Sequence, residues 1–305
     1  MNLRLGTRGS ALATAQSGQF ADAVVAAARE AGVEATVELV TVTTKGDVDR
    51  GSLVGLSQTG VFVTALREAL LADDCDFIVH SLKDVPTQPY PGLDVVAIPE
   101  REDPRDALCT DGRTLVELPH GASIGTGSPR RAAQLLAVRP DLDVRPLRGN
   151  VDTRLGHIGD DLDGVVLAAA GLNRLGRAAD ATEPLSVSAM VPAPGQGALA
   201  IEIRSDASDA LRELLATLDH AATRACVTAE REALRVLDAG CAAPVAAHAT
   251  VDGDRLTLHT RVIGQDGRLA LNERNSGVLA EAAAIGRQSG FSLLGRGAEK
   301  LMGRA

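Results

Sequence analysis

Apolar and polar positions change period several times along the chain, and the changes mark out elements. Residues 3–6 read as a short strand, and the alanine-rich stretch 10–31 has a helical period that stops at Gly32. The β-branched run 36–43 predicts a strand. A glycine-punctuated loop at 46–60 leads to a helix at 62–71, and compact apolar runs at 76–80 and 93–98 predict two more strands. The charged stretch 99–105 contains two prolines and reads as a linker. A second alternation follows, with strand 123–125, helix 129–138, strand 143–147, helix 151–158 and strand 165–169. Two such alternations predict two α/β lobes with largely parallel sheets.

The pattern breaks at PAPGQG (192–197). The next strand, 198–203, has no helix–strand partner beside it, so it reads as a return to the first lobe. A long helix at 220–237 precedes three strands at 245–251, 255–263 and 269–275, with hairpin turns at 252–253 and 265–267. A final helix covers 279–302. The fold class is α/β, two lobes plus a small C-terminal α+β domain. The expected divisions are 1–98 with 198–218, then 103–191, then 220–305. A length of 305 residues suits two or three domains.

Composition narrows the function classes. No stretch approaches the roughly 20 apolar residues that span a bilayer. MNLRLGTRGS has no long apolar core, so the reading is cytoplasmic, without a secretory signal or a membrane partner. A net charge of −9, four Phe, one Tyr and no Trp speak against a nucleic-acid surface. Cys75, Cys109, Cys226 and Cys241 form no C-x-x-C pair and have no His at ligand spacing, so no metal site is expected and the thiols are read as free. The first three sit in apolar or helical contexts that suit packing. Cys241, in a Gly- and Pro-flanked loop, is the one placed for covalent chemistry.

Charge is unevenly spread. Residues 121–177 hold eight Arg and six Asp with no Lys or Glu, so this stretch is basic within an acidic chain. Several of these arginines fall at strand–helix turns. In GTGSPRR (125–131), glycines permit close approach of a ligand, Ser128 suits a helix cap and Pro129 suits the first helical position. Two Arg in a first helical turn oppose the helix dipole, and an anionic ligand would account for them. TRGS (7–10) repeats the arrangement in the first lobe, and Arg148, Arg154 and Arg174 add further cations at strand ends. Ligands of open α/β sheets bind at the carboxyl ends of strands, so one cleft is expected to receive these arginines. Guanidinium forks match carboxylates, which points to a polycarboxylate ligand. Lys83 and Asp84 follow the strand at 76–80. An Asp among cations there could stabilise a developing positive charge or move a proton.

These segments resemble the porphobilinogen deaminase family, the hydroxymethylbilane synthases. The matching runs are TRGS (7–10), GVF (60–62), HSLKDVP (80–86), EREDPRDAL (100–108), GTGSPRR (125–131), RPDLDVRPLRGNVDTRL (139–155), AAAGLNRLG (168–176), PAPGQGAL (192–199) and AGCAAP (239–244), in order over nearly the whole chain. The resemblance implies lobes like those of periplasmic binding proteins. It implies an enzyme that deaminates porphobilinogen and joins four units into hydroxymethylbilane, in tetrapyrrole biosynthesis, working as a monomer. It implies a dipyrromethane cofactor in thioether linkage to Cys241. Asp84 matches the catalytic acid. Arg8, Arg130, Arg131, Arg148, Arg154 and Arg174 match carboxylate-binding arginines, while Ser10, Ser81, Lys83, Thr126 and Ser128 match further cofactor and substrate contacts. Gln196 is counted with these cofactor and substrate contacts and, lying in the crossover between lobes, also implies a hinge role. The loop 46–60 with Phe62 matches a lid, where Thr59 stands in place of a frequent Lys. Gly127 and Pro129 replace a frequent Ser and Leu.

The alternative drawn from the residues alone is a two-lobed binding module for a polycarboxylate anion, since fold does not determine function. A binder has no need of Asp84 beside Lys83, nor of a loop thiol at Cys241. Retention of both also argues against an inactive relative.

Overall fold

The computed structural model describes residues 1–42, 58–239 and 243–303. In chain order the first elements are β1 (Asn2–Thr7), α1 (Ala11–Glu30), β2 (Thr36–Thr41), α2 (Gln58–Leu71), β3 (Phe77–Ser81), a one-turn 3-10 helix (Leu82–Asp84) and β4 (Leu93–Ala97). Then come β5 (Asp106–Thr110), β6 (Ser123–Thr126), α3 (Pro129–Val138), β7 (Asp143–Pro146), α4 (Val151–Leu155), β8 (Gly164–Ala168), α5 (Ala169–Arg174) and β9 (Glu183–Pro184). The rest of the chain forms β10 (Leu199–Arg204), α6 (Asp209–Ala216), α7 (Ala221–Val236), β11 (Val245–Asp252), β12 (Arg255–Ile263), β13 (Ala270–Val278), α8 (Ala282–Gly295) and α9 (Ala298–Leu301).

The chain divides into two units, Met1–Arg101 with Ala198–Arg224, and Glu102–Gly197 with Ala225–Ala305. The first holds a five-stranded sheet in the order β2-β1-β3-β10-β4. The second holds a sheet in the order β7-β6-β8-β5-β9 and the three-stranded meander β11-β12-β13. The two larger sheets share one plan. Three strands run parallel, and the fourth position is taken by a strand antiparallel to both neighbours, β10 in one and β5 in the other. In each sheet four strands therefore point the same way, in keeping with the expectation of largely parallel sheets, and one strand runs against them, which makes both sheets mixed.

Other expectations shift as well. β5 was absent from the reading, as were α5 and α6. The helix expected from 62 starts at Gln58, and the helix expected over 279–302 is broken near Gly297, whose φ of +86° suits glycine.

In the first unit, α1 buries Ala13, Phe20, Ala21, Val24 and Ala28 at helical spacing. They meet Leu5, Phe77, Ile201 and Ile203 on one face of the sheet, together with Leu211 and Leu215 of α6. On the opposite face α2 packs Leu66 and Leu70 against Ile78 and Leu93. Strand residues alternate between the two faces, so β3 and β10 are buried on both. In the C-terminal part of the second unit, α8 lies so close to α7 that a Cβ at Gly286 would fall 2.3 Å from the Ala229 carbonyl oxygen. No helix among the described residues is long and apolar enough to cross a membrane.

Candidate functional site

The turn after β1 in the first unit is fixed by its own side chains. Ser10 caps α1, its Oγ accepting from the Ala13 amide at 3.3 Å. Ser17 Oγ donates to Thr7 Oγ1 at 2.8 Å, and Thr7 in turn donates to the Ala13 carbonyl at 3.2 Å. Arg8 projects from this turn, half-buried. Ser10, expected as a ligand contact, is already engaged as the cap.

Strand β3 delivers the other half of the arrangement. Its end is pinned by Ser81 Oγ, which donates to Gln16 Oε1 on α1 at 3.2 Å. Leu82 is buried, and its amide donates to the Ala198 carbonyl at 2.9 Å. Val85 is buried on the far side of the single 3-10 turn. With both flanks anchored, Lys83 and Asp84 stand on the turn at the carboxyl end of β3, partly accessible as residues but with the Asp84 carboxyl closely surrounded by protein. Among the described residues no donor hydrogen-bonds the Asp84 carboxylate. Burial pushes its pKa up, and the charges of Lys83, Arg8 and His80 oppose that rise without cancelling it. Such a carboxyl can hold or release a proton closer to neutrality than a surface Asp. Gln16, buried on α1, was missed by the sequence reading. Its polar type at a core-facing helical position was the available signal.

In the second unit, the turn between β6 and α3 is also closed by its own side chains. Thr126 Oγ1 accepts from the Ser128 amide at 3.2 Å, and Ser128 caps α3 by accepting from the Arg131 amide at 3.4 Å. Gly127 has a geometric reason: a Cβ there would lie 2.6 Å from the Leu147 carbonyl oxygen.

Arg130 and Arg131 are both drawn to an internal carboxylate. Both are buried, and both meet the fully buried Asp106 of β5. Arg130 Nη1 is 2.7 Å from Asp106 Oδ2, and Arg131 Nε and Nη2 are 2.9 and 2.7 Å from Oδ1. Arg130 also donates to the Val191 carbonyl at 2.7 Å and Arg131 to the Val166 carbonyl at 3.0 Å. Gln196, buried as well, donates from Nε2 to Asp106 Oδ1 at 2.9 Å and to the Pro104 carbonyl at 2.7 Å. The Asp106 carboxyl is held well below the usual range: burial would raise it, but the two arginines outweigh burial. The anion that answers the two helix-start arginines is thus a side chain of the protein itself. Asp106 was not singled out from the sequence, where DAL follows a charged stretch and gives no sign of burial.

Three expected arginines are placed differently. Arg148 is exposed and forms no ion pair among the described residues. Arg154 is half-buried, donates from Nε to the Gly149 carbonyl at 2.9 Å, and meets no carboxylate among the described residues. Burial and the nearby Arg131 lower its pKa. Arg174 donates from Nη2 to the Gly197 carbonyl at 2.6 Å, and its pKa is also lowered by burial, with Glu102 opposing. Elsewhere in this unit guanidiniums meet acids, as Arg139 does Asp141 and Arg145 does Asp143. The donor set at Arg148 and Arg154 therefore fits a group rich in carboxylates.

Cys241 lies outside the described residues, as do residues 46–57 of the expected lid. Thr59 and Phe62 fall on α2, with side chains outside the description. Cys75, Cys109 and Cys226 are free and buried, and burial raises the thiols of Cys75 and Cys109 to about 11.

The first unit thus presents a carboxyl at a strand end among cations, and the second presents guanidiniums with no acidic partner among the described residues, on mixed α/β sheets. Residues 3–212 match the model of porphobilinogen deaminase, dipyromethane cofactor binding domain, and residues 224–294 match that of porphobilinogen deaminase, C-terminal domain. The porphobilinogen deaminase of Thermobifida fusca is 50% identical over 313 residues, covering 99% of this chain and 96% of the relative. That of Leifsonia xyli subsp. xyli is 52% identical over 313 residues, covering 98% and 94%. A solved TRAP periplasmic solute binding protein from Desulfovibrio salexigens is similar over 72% of each chain, at 11% identity and a TM-score of 0.43. The chain belongs to the porphobilinogen deaminase family.

Proposed function

We propose that this chain deaminates porphobilinogen and joins four units head to tail into hydroxymethylbilane, in tetrapyrrole biosynthesis. We infer that it works in the cytoplasm as a monomer, with porphobilinogen as its small-molecule partner and neither nucleic acid nor a membrane. The observation that carries the reading is Asp84, a desolvated carboxyl at a strand end with Lys83, Arg8 and His80 as its charged neighbours.

The chemistry asks for that group. Each pyrrole carries an acetate and a propionate and an aminomethyl arm. When the arm's C–N bond breaks, ammonia leaves with the electron pair and the ring takes up positive charge. An ionised Asp84 stabilises that charge and accepts the pyrrole N–H hydrogen bond, and after C–C bond formation a proton must leave the ring carbon. Arg148, Arg154, Arg174, Arg8 and Lys83 are assigned to the carboxylates, which accumulate as units are added. Water excluded from the site cannot capture the reactive methylene early. The family's dipyrromethane supplies a covalent primer when bound, and we assign its thioether to Cys241 and its carboxylates to the arginines above. Arg130, Arg131 and Gln196 are assigned a supporting role through Asp106. Ser10, Thr126 and Ser128 hold the turns that present the site.

The test is the intact mass of the purified chain, alone and as Cys241→Ser, with ammonia release from porphobilinogen measured beside it. Excess mass equal to two linked pyrroles, absent in the variant, supports the reading. A chain that gains no mass on incubation with porphobilinogen and releases no ammonia overturns it, leaving a polycarboxylate binder.

A further inference from the structure

The meander β11-β12-β13 has two unlike faces. Leu256, Leu258, Thr260 and Val262 alternate inward along β12 and are buried, the two leucines packing with Ala229 of α7 and Ile285 of α8. The residues between them, Thr257, His259 and Arg261, point to the opposite face. The pairing register sets His248 of β11 opposite His259 on one side and Arg274 of β13 opposite it on the other. Directly opposed residues lie about 5 Å apart at Cβ, and like charges so placed destabilise a sheet. Strand pairing therefore gives no reason for this row of basic groups.

The groups are also answered only by neutral oxygens. Arg261 Nε donates to Asn272 Oδ1 at 2.8 Å, and His259 Nε2 lies 3.1 Å from the same oxygen. The rest of the Arg261 guanidinium is committed to Gln134 Oε1 at 2.9 Å and to the Ala189 and Ser188 carbonyls, each at 3.1 Å. Arg274 is exposed and makes no hydrogen bond or ion pair among the described residues. Other guanidiniums close by in the chain do find acids, as Arg287 does Glu232 and Arg296 does Glu273. The acid of β11 on this face, Asp252, stands at the hairpin two rows away, opposite Arg255. Burial lowers the pKa of His259; Asn272 opposes that, and Arg261 and Arg274 add to it. Arg261 is lowered by burial and then by Arg274. The three groups thus repel one another across the strands.

We propose that this face of the meander binds one tetrahedral oxyanion of the phosphate class, gripped by the Arg274 fork and the His259 ring, with the fixed Arg261 beside them. The donor set selects that chemistry. Two guanidiniums and an imidazole call for more than one negative charge, which a single carboxylate does not bring. Tetrahedral oxygens reach donors on neighbouring strands at once, whereas a carboxylate offers two oxygens in one plane. A further donor stands in the next row, where the Thr257 and Ser276 hydroxyls, 3.0 Å apart, share one hydrogen bond and leave one O–H to give. The face shares no residue with the acid and the arginines assigned to porphobilinogen, so the proposal holds or fails independently of that assignment.

The test uses the full-length holoenzyme in a phosphate-free buffer held at about pH 7, where histidine rings report on charge nearby. Histidine ring resonances are followed by NMR as inorganic phosphate is added, with sodium chloride at matched ionic strength as the reference. The His259 signal is identified by its loss in His259→Gln. The expected result is a saturable shift of that signal with a midpoint of about 1 mM. In Arg274→Gln, an exposed position whose fold is checked by circular dichroism, the midpoint should rise about fivefold or more. Malonate, a dicarboxylate, should bind about fivefold more weakly than phosphate. Absence of a saturable shift overturns the proposal, as does an unchanged midpoint in Arg274→Gln. A shift that sodium chloride reproduces overturns it too, since screening alone would then account for it. Malonate that binds as tightly as phosphate overturns the assignment to the phosphate class.

Discussion

Asp106→Asn is expected to cost about 3–5 kcal/mol of stability, because it leaves two buried guanidiniums without their counter-charge. The structure sets the size of the effect. Asp106 is 0% exposed and its two oxygens receive Arg130 at 2.7 and 3.2 Å, Arg131 at 2.9 Å and Gln196 at 2.9 Å. An Asn amide is the same shape, but its NH2 would face guanidinium N–H groups, donor against donor. By the usual scaling the melting temperature should fall on the order of 10 °C, read by circular dichroism since the chain has no Trp. A triple variant, Asp106→Leu with Arg130→Met and Arg131→Met, separates buried charge from simple packing. It should recover most of the loss, since replacing a whole buried ion cluster by apolar groups is often neutral. The pH dependence follows from the lowered Asp106 pKa. The gap between the two proteins should be constant from pH 7 down to about 4, then shrink as the unfolded-state carboxyl takes up its proton first. A single variant that melts within about 2 °C of the parent would refute the reasoning, as would a triple variant no better than the single one.

Three further outcomes are expected. Glu202, with a folded pKa of about 2, should stabilise the first unit by about 3 kcal/mol above pH 4.3 or so, and this is lost as pH falls toward 2. Urea midpoints of the parent and Glu202→Gln should therefore differ clearly at pH 7, by about half as much at pH 3, and converge only toward pH 2; an equal gap at pH 7 and pH 3 would refute the assignment. Gly127→Ala puts a Cβ 2.6 Å from the Leu147 carbonyl oxygen, so the β6–α3 turn must shift, at about 1–3 kcal/mol in urea unfolding. Cys75 and Cys109, at about 11 and buried, should resist a thiol reagent at pH 8 until urea unfolds the chain, and rapid labelling of either in the native protein would contradict their packing role.

Most of the fold was legible because its elements carry strong periods. The helix 129–138 was placed to the residue, since Ser128 and Pro129 mark its start and the next proline follows its end. The missed elements lacked such marks. β5 is five residues, DALCT, opening directly from a charged stretch, and its burial comes from β8 and β9, which are more than 50 residues away in sequence. The mixed sheets were illegible for a related reason. Strand direction is decided by which neighbour a crossover strand finds, and β10 pairs with β3 across more than 100 residues. Local pattern contains no term for that.

The site was legible in residue type and less so in role, and the arginines show why. Arg130 and Arg154 look alike in the sequence, both beside a turn and both in a basic segment. The difference lies in Asp106, which reaches Arg130 from 24 positions away, whereas Arg154 donates to the Gly149 carbonyl. A charge that opposes the helix dipole does demand an anion, but the demand does not say whether the anion is a ligand or a buried side chain. Burial decides it. A buried arginine gripped by an internal carboxylate has most of its fork committed, whereas a half-buried arginine facing a carbonyl keeps more of it available. The same criterion separates His80 from Lys83, three positions further along the same motif: His80 is buried against Glu202, whereas Lys83 stands partly accessible on the turn at the strand end.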